Sequence, residues 1–506
     1  MNKLQPFVRK IIYVGLIVVL LFPLSMLSKP ATLEDPGGWL AQQRQEHGLS
    51  QANIGEIDAR GESIKLAMFG MRGLAANILW TQAIEYKKKK DWSNLRLTLD
   101  KISKLQPNFI SVWSFQAWNL SYNVSAEFDD YRDRYFWVKE GIKFMEGGIK
   151  YNEKEARLLG EIGRMTGQKI GRADERKQFR LLFADPDDDL YDYLNASLPV
   201  ELRDPLERRD NWLMGKWYYR SAERLLDREG KTIKGETPHI FHSHPVMWQF
   251  NYAKGLETDG TFGEVARAEW GTAGREWEEY GRMPFAVGLG ETVRLNDYEA
   301  LTEKVEKLVG ELDALAPELR AQIRQEKLAK LTPEQRTALD TPLVERDEEQ
   351  HMLAYDAAEL ARVTHREVAA RIQGDDRRRA TEIAAEAMDA QVRANTISRL
   401  RGIVNFENWR LRAEVEQSDE ALEARELLFS ADEEILDLER KRALYEEGFT
   451  LWGEVLEKYP GIAEDSESGD DMVEHVNQYR TVLSRLDQPF PEDFILQELV
   501  DRFGDE

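Results

Sequence analysis

Residues 76–107 read "ANILWTQAIEYKKKKDWSNLRLTLDKISKLQP". They hold two apolar runs of helical period joined by a short, charged turn. With the residues just upstream, Leu66, Phe69, Leu74, Ile78, Leu79, Ala83 and Tyr86 fall mostly three to five positions apart, as one helical face requires. Leu95, Leu99 and Ile102 continue the spacing beyond the turn. Few stretches elsewhere alternate apolar and polar residues as a half-buried strand would, so the reading is all-α.

Counting Pro107 as position 32 of a 34-residue unit puts Ala83 at 8, Tyr86 at 11, Leu95 at 20, Leu99 at 24 and Ile102 at 27. This pattern resembles a tetratricopeptide (TPR) repeat. There a small residue at position 8 lets two antiparallel helices approach, and aliphatic and aromatic positions fill the wedge to the next pair. Leu95 departs from the usual small residue at position 20. A second unit follows, with Trp113 at 4 and Ala117 at 8; its second helix arrives about eleven residues late, and Asn152 stands where the closing proline belongs. A third pair is expected in "EARLLGEIGRMTGQKI" and "ADERKQFRLLF". The spacing returns in "PVMWQFNYAKGLETDGTFGEVARAEW" and in "GFTLWGEVLEKYP", where Gly448, Trp452 and Val455 take positions 20, 24 and 27. The resemblance implies hairpins stacked as a TPR-like solenoid and a role in protein–protein contact. Asn77, Lys87 and Asn119 are the candidates it suggests for a partner-binding groove.

The chain has 506 residues, no cysteine and a net charge of −23. Missing thiols exclude disulfides, thiol catalysis and cysteine-held metal clusters. The negative charge disfavours nucleic acid, whose phosphates need clustered Lys and Arg. Residues 11–27, "IIYVGLIVVLLFPLSML", carry no charge and follow Lys3, Arg9 and Lys10. They would span roughly 25 Å as a helix, and lead to the expectation of one N-terminal transmembrane helix. In that reading the N-terminus is cytoplasmic and the body lies on the outer, periplasmic-type side; a cleaved signal peptide is the alternative.

The expected layout is an anchor over 1–30, a spacer over 31–60, TPR-like repeats over 61–189 and an aromatic-rich helical region over 190–290. Long charged helices follow over 291–460, in hairpins or a coiled-coil-like insertion. Thr332, Pro333 and Gln335 in "LTPEQ" spell a capping box. The final stretch, 461–506, carries thirteen acids against three bases, and its "EDSESGDD" reads as flexible.

Three of the seven histidines, His239, His242 and His244, lie in "HIFHSHPVMW". They are the chain's candidates for a metal site. Zinc catalysis would also need a general base and an open coordination position, and no HExxH motif is present. The plainer reading makes this a helix entrance with Pro245 as the first helical residue. "YKKKKDW" is either a basic patch for an acidic partner or a set of lysines meeting the negative end of a helix dipole. No phosphate-binding glycine loop or nucleophile elbow occurs, so no cofactor is expected. Two functions compete: a membrane-anchored, non-enzymatic scaffold, and an envelope hydrolase or carbohydrate-active enzyme using residues 190–290.

Overall fold

The computed structural model describes residues 72–504, except 204, 205, 207, 234 and 288–290, together with scattered positions between 15 and 42. The chain is all-α, 78% helical. Among the described residues its strands are a single two-residue pair, Phe285–Ala286 against Thr292–Val293, antiparallel with Phe285 opposite Val293. It divides into two compact units, Met1–Thr237 with Met247–Tyr252, and Pro238–Val246 with Ala253–Glu506.

In the first unit, α1 (Arg72–Lys88) and α2 (Trp92–Leu105) pack as the hairpin expected from the sequence. Lys90 turns the chain at φ 55° and Asp91 caps α2 through the Asn94 N–H. Ala83, Leu95, Leu99 and Ile102 are all buried in one cluster, so Leu95 fills the space a smaller residue would leave. Next come α3 (Ile110–Trp118), running on into a π-helical segment Asn119–Val124, and α4 (Tyr131–Ile149). The Pro107 carbonyl accepts from Trp113 Nε1 at 2.8 Å and from Asn152 Nδ2 at 2.7 Å. Asn152 thereby ties down the preceding turn. The third pair is α5 (Ala156–Arg164), continued by a second π segment Met165–Lys169, and α6 (Arg176–Ala184). Then follow α7 (Leu190–Ser197) and α8 (Asn211–Glu229), the latter packed on α5.

Helix α9 (Pro238–Thr258) contributes residues to both units. It begins about two turns earlier than expected: Pro238, not Pro245, opens it, and Pro245 lies inside. A proline has no N–H to give the carbonyl four residues back, here that of Phe241, so the helix tolerates this residue at the cost of one rung.

The second unit continues with α10 (Gly263–Gly281), α11 (Tyr298–Leu315), α12 (Leu319–Leu328), α13 (Pro333–Asp340), α14 (Glu348–Ala361), α15 (His365–Arg371) and α16 (Asp376–Ile403). Ala380, Ile383, Ala387, Ala390, Ala394 and Ile397 of α16 are buried at alternating spacings of three and four, the seam of a coiled coil. Val305, Leu308 and Leu312 of α11 keep the same step, and the two helices pack together. Thr332 and Gln335 form the expected capping box, with reciprocal bonds of 3.2 and 3.0 Å. Thr332→Ala is expected to cost about 1 kcal/mol, read as a lowered urea midpoint at unchanged slope.

The last helices are α17 (Phe406–Glu416), α18 (Asp419–Glu433), α19 (Leu438–Lys458), α20 (Ser466–Arg485) and α21 (Gln497–Phe503). Gly448 of α19 faces Leu428 and the Ala424 carbonyl of α18, with no space for a larger side chain.

Two expectations are corrected. Among the described residues no helix is long and apolar enough to cross a membrane. The long helices that are described carry charge along their length, as in "DRRRATEIAAEAMDAQVRANTISRLRGI" of α16, and such side chains are costly in hydrocarbon. The single-pass anchor and the outer-side placement of the body are therefore withdrawn; most of 11–27, like most of the 31–60 spacer, lies outside the described residues. The acidic C-terminal stretch is also not a loose tail. Asp465 caps α20 through the Ser468 N–H, placing acids at the positive end of the helix dipole. Met472, Val476 and Tyr479 behind it are buried in the core with Trp452 and Phe449.

Candidate protein-interaction surface

The sequence singled out Asn77, Lys87 and Asn119. The structure brings the last two together: Lys87 Nζ donates to Asn119 Oδ1 at 3.0 Å, and Asn123 Nδ2 donates to the same oxygen at 3.0 Å. Asn77 does not join them. It is exposed ten residues up α1, roughly 15 Å along the axis, with its carbonyl accepting from Thr81 Oγ1.

Asn119 opens the first π segment. There Ser125 N–H reaches back five residues to the Leu120 carbonyl, and the wider turn re-aims the side chains, a feature common at functional sites. Two anchors hold the segment. Ser121 Oγ donates to the Val138 carbonyl at 3.2 Å, and Gly141 of α4 leaves no room for a side chain against Ser121 and the Ala117 carbonyl. Trp118 and Tyr122 stack with centroids 5.8 Å apart, and Trp118 is 40% exposed.

The next inner helix repeats the device, since α5 also ends in a π turn. Lys169 at its close places Nζ 4.9 Å from the centre of the Tyr122 ring. Burial holds the Lys169 ammonium below the ordinary lysine value, with Glu175 acting in the opposite sense; burial raises the Tyr122 phenol while Arg164 pulls it down. Helices α1, α3 and α5 thus contribute two cations, a hydrogen-bonded amide pair whose Asn119 is buried, and two stacked rings. Tyr122, Asn123 and Lys169 escaped the sequence reading. For Tyr122 and Asn123 a residue-type signal was present in "WNLSYN", where amides and aromatics each recur four residues apart; Lys169 had none.

The histidines do not converge. On α9, His239 and His242 stand three residues apart and share a face, but His244 is rotated well away. His239 and His242 pack their rings on Phe285 at 6.3 and 6.4 Å, and burial lowers the pKa of His239. Among the described residues no group of three or more His, Asp or Glu side chains is placed to hold a metal.

Of the five tryptophans between 212 and 277, Trp212, Trp248, Trp270 and Trp277 are buried and Trp217 is half-buried. Ionisable side chains do concentrate in the interior of the second unit. Arg425 donates to Glu257 at 2.7 and 2.9 Å and to the Glu416 carbonyl at 2.8 Å, and its guanidinium also pairs with the Glu416 carboxylate. Arg412 meets Glu467 at 2.8 Å, and Lys254 meets Glu467 and Asp471 at 2.8 and 2.7 Å. Trp270 Nε1 donates to Glu257 at 2.8 Å. Glu257, one of the buried carboxylates of the 190–290 region with Asp210 and Glu223, is thus committed to an arginine and an indole, an arrangement that clamps helices together.

Comparison with protein-family models, curated proteins and solved structures gave no match, and no TPR repeat is identified.

Proposed function

We propose that the chain is a non-enzymatic scaffold whose first unit binds an acidic segment of a protein partner, in the manner its TPR-like hairpins suggest. The observation that carries this reading is the cluster of Lys87, Asn119, Asn123, Tyr122 and Lys169, drawn from α1 and the π segments that end α3 and α5. In a chain of net charge −23, cations gathered beside exposed aromatic surface suit carboxylates flanked by apolar groups. Asn119 is buried and holds Lys87 in place from below, the half-buried Asn123 adds an amide at the rim, and Trp118 supplies rigid contact area.

The test is a titration of the full chain against a fluorescein-labelled, glutamate-rich peptide carrying one phenylalanine. Lys87→Glu with Lys169→Glu is expected to weaken binding at least about tenfold, and native affinity is expected to fall as salt rises. Equal affinity for the double variant sinks the proposal.

A further inference from the structure

A second surface lies in the other unit, on α14. Ala354, Ala357 and Ala361 are its buried residues, and the helix packs on α13. The opposite stripe is unusual for an exposed helix. Met352 and Tyr355, three residues apart on that side, are 63% and 67% exposed. The turn leading in, Leu343–Glu345, adds Leu343 and Val344, the latter 92% exposed. Scattered surface leucines need no explanation, but an apolar run on one short element does.

Charge says what would cover it. Glu348, Glu349, Asp356 and Glu359 fall on the same side of α14 as Met352, at helical spacings of three, four and seven. Glu359 is paired with Arg362 at 3.3 Å. Glu348, Glu349 and Asp356 have no ion pair among the described residues. Glu348 and Glu349 are favoured where they stand by the helix dipole, yet their carboxylates face solvent uncompensated. A second copy of the chain would bring acid to acid, so self-association on this face is opposed.

We infer that the exposed stripe of α14, with Leu343 and Val344, docks a basic amphipathic helix of a partner protein. The apolar side of that helix would meet Met352 and Tyr355, while its Lys or Arg residues would meet Glu348, Glu349 and Asp356. Methionine suits such a site because its flexible thioether repacks around differing side chains. This surface is separate from the Lys87–Lys169 face, and together they make the scaffold a two-site adaptor.

The probe is a synthetic amphipathic helix of leucine and lysine, with a twin in which glutamate replaces every lysine. Each is labelled and titrated by anisotropy against the full chain. The lysine peptide is expected to bind, and its affinity to fall at least about tenfold in Met352→Ser with Tyr355→Ser, and similarly in Glu348→Lys with Glu349→Lys. Lys87→Glu with Lys169→Glu is expected to leave it unchanged, which separates this proposal from the first. All four substituted side chains on α14 are exposed, and circular dichroism checks that the variants keep their helix. The inference is overturned if the lysine peptide does not bind, if the serine variant binds it as tightly as the native chain, or if the acidic twin binds equally. A concentration-dependent dimer that the serine substitutions abolish would also overturn it, by naming a second copy as the occupant.

Discussion

Replacing Arg425 with alanine is expected to lower the unfolding free energy by about 3–5 kcal/mol. Arg425 is the centre of the buried network in the second unit: its guanidinium spans Glu257 and Glu416, whose side chains are 7% and 5% exposed. Removing it leaves two carboxylates in the interior with their principal counter-charge gone. Arg412 stands 3.6 Å from Glu416 and offers partial relief, while Glu257 retains the Trp270 indole. The cost is thus that of stranding charge, and it exceeds the net worth of the pair itself, because forming a buried pair also strips water from both partners. Arg425→Ala with Glu257→Gln and Glu416→Gln together is therefore expected to recover a large part of the loss. Urea unfolding of the single and triple variants measures both.

The pH dependence distinguishes this account from simple loss of packing. Burial raises the Glu416 carboxyl above its ordinary value of 4.5, with Arg425 and Arg412 opposing the rise. A raised folded value means the group favours folding below its unfolded pKa, and that this contribution is lost as pH climbs through the folded one. Without Arg425 the upward shift grows. The deficit of Arg425→Ala against the native chain should therefore be greatest at neutral pH and shrink as pH falls through the raised carboxyl range. A deficit independent of pH would assign the effect to the missing stem of the arginine instead.

These residues also mark the limit of what the sequence disclosed. The α1–α2 hairpin was legible because Ala83, Leu95, Leu99 and Ile102 are close in sequence and share one period. Thr332 and Gln335 were legible because a capping box is a contact three residues long. Lys254 and Glu467, by contrast, are 213 positions apart, and nothing local distinguishes them from the many solvated acids and bases around them. At the candidate surface, Lys87 and Asn119 could be chosen from residue type and helix order, while Asn77 could not be rejected, since its place about 80° round α1 from Lys87 follows from helical phase only once the partner helix is fixed. The π turns have no comparable signal. A single extra residue per turn leaves composition unchanged, yet it decides where Tyr122 and Lys169 point. The acidic C-terminal stretch misled for a related reason: composition records charge, and the cap at Asp465 depends on position.

The helix crossing beneath that surface gives the second large effect. Gly163 of α5 and Gly215 of α8 face each other so closely that a Cβ on either would come within 2.7 Å of the other's carbonyl oxygen. Trp248 Nε1 donates to the Gly163 carbonyl at 3.1 Å and closes the contact. The obstacle to a methyl group here is backbone, which has no rotamer to yield, so Gly163→Ala is expected to force the helices apart at a cost of about 3 kcal/mol. Gly215→Ala should cost a similar amount. Their effects should not add: once one methyl has widened the crossing, the second enters space already opened, and the double variant should fall well short of the sum. A fully additive double variant would refute the shared crossing. The shift should also reach function, since α5 runs directly into the π turn carrying Lys169. Gly163→Ala is then expected to weaken the glutamate-rich peptide under native conditions, while leaving the lysine–leucine peptide on α14 bound as before.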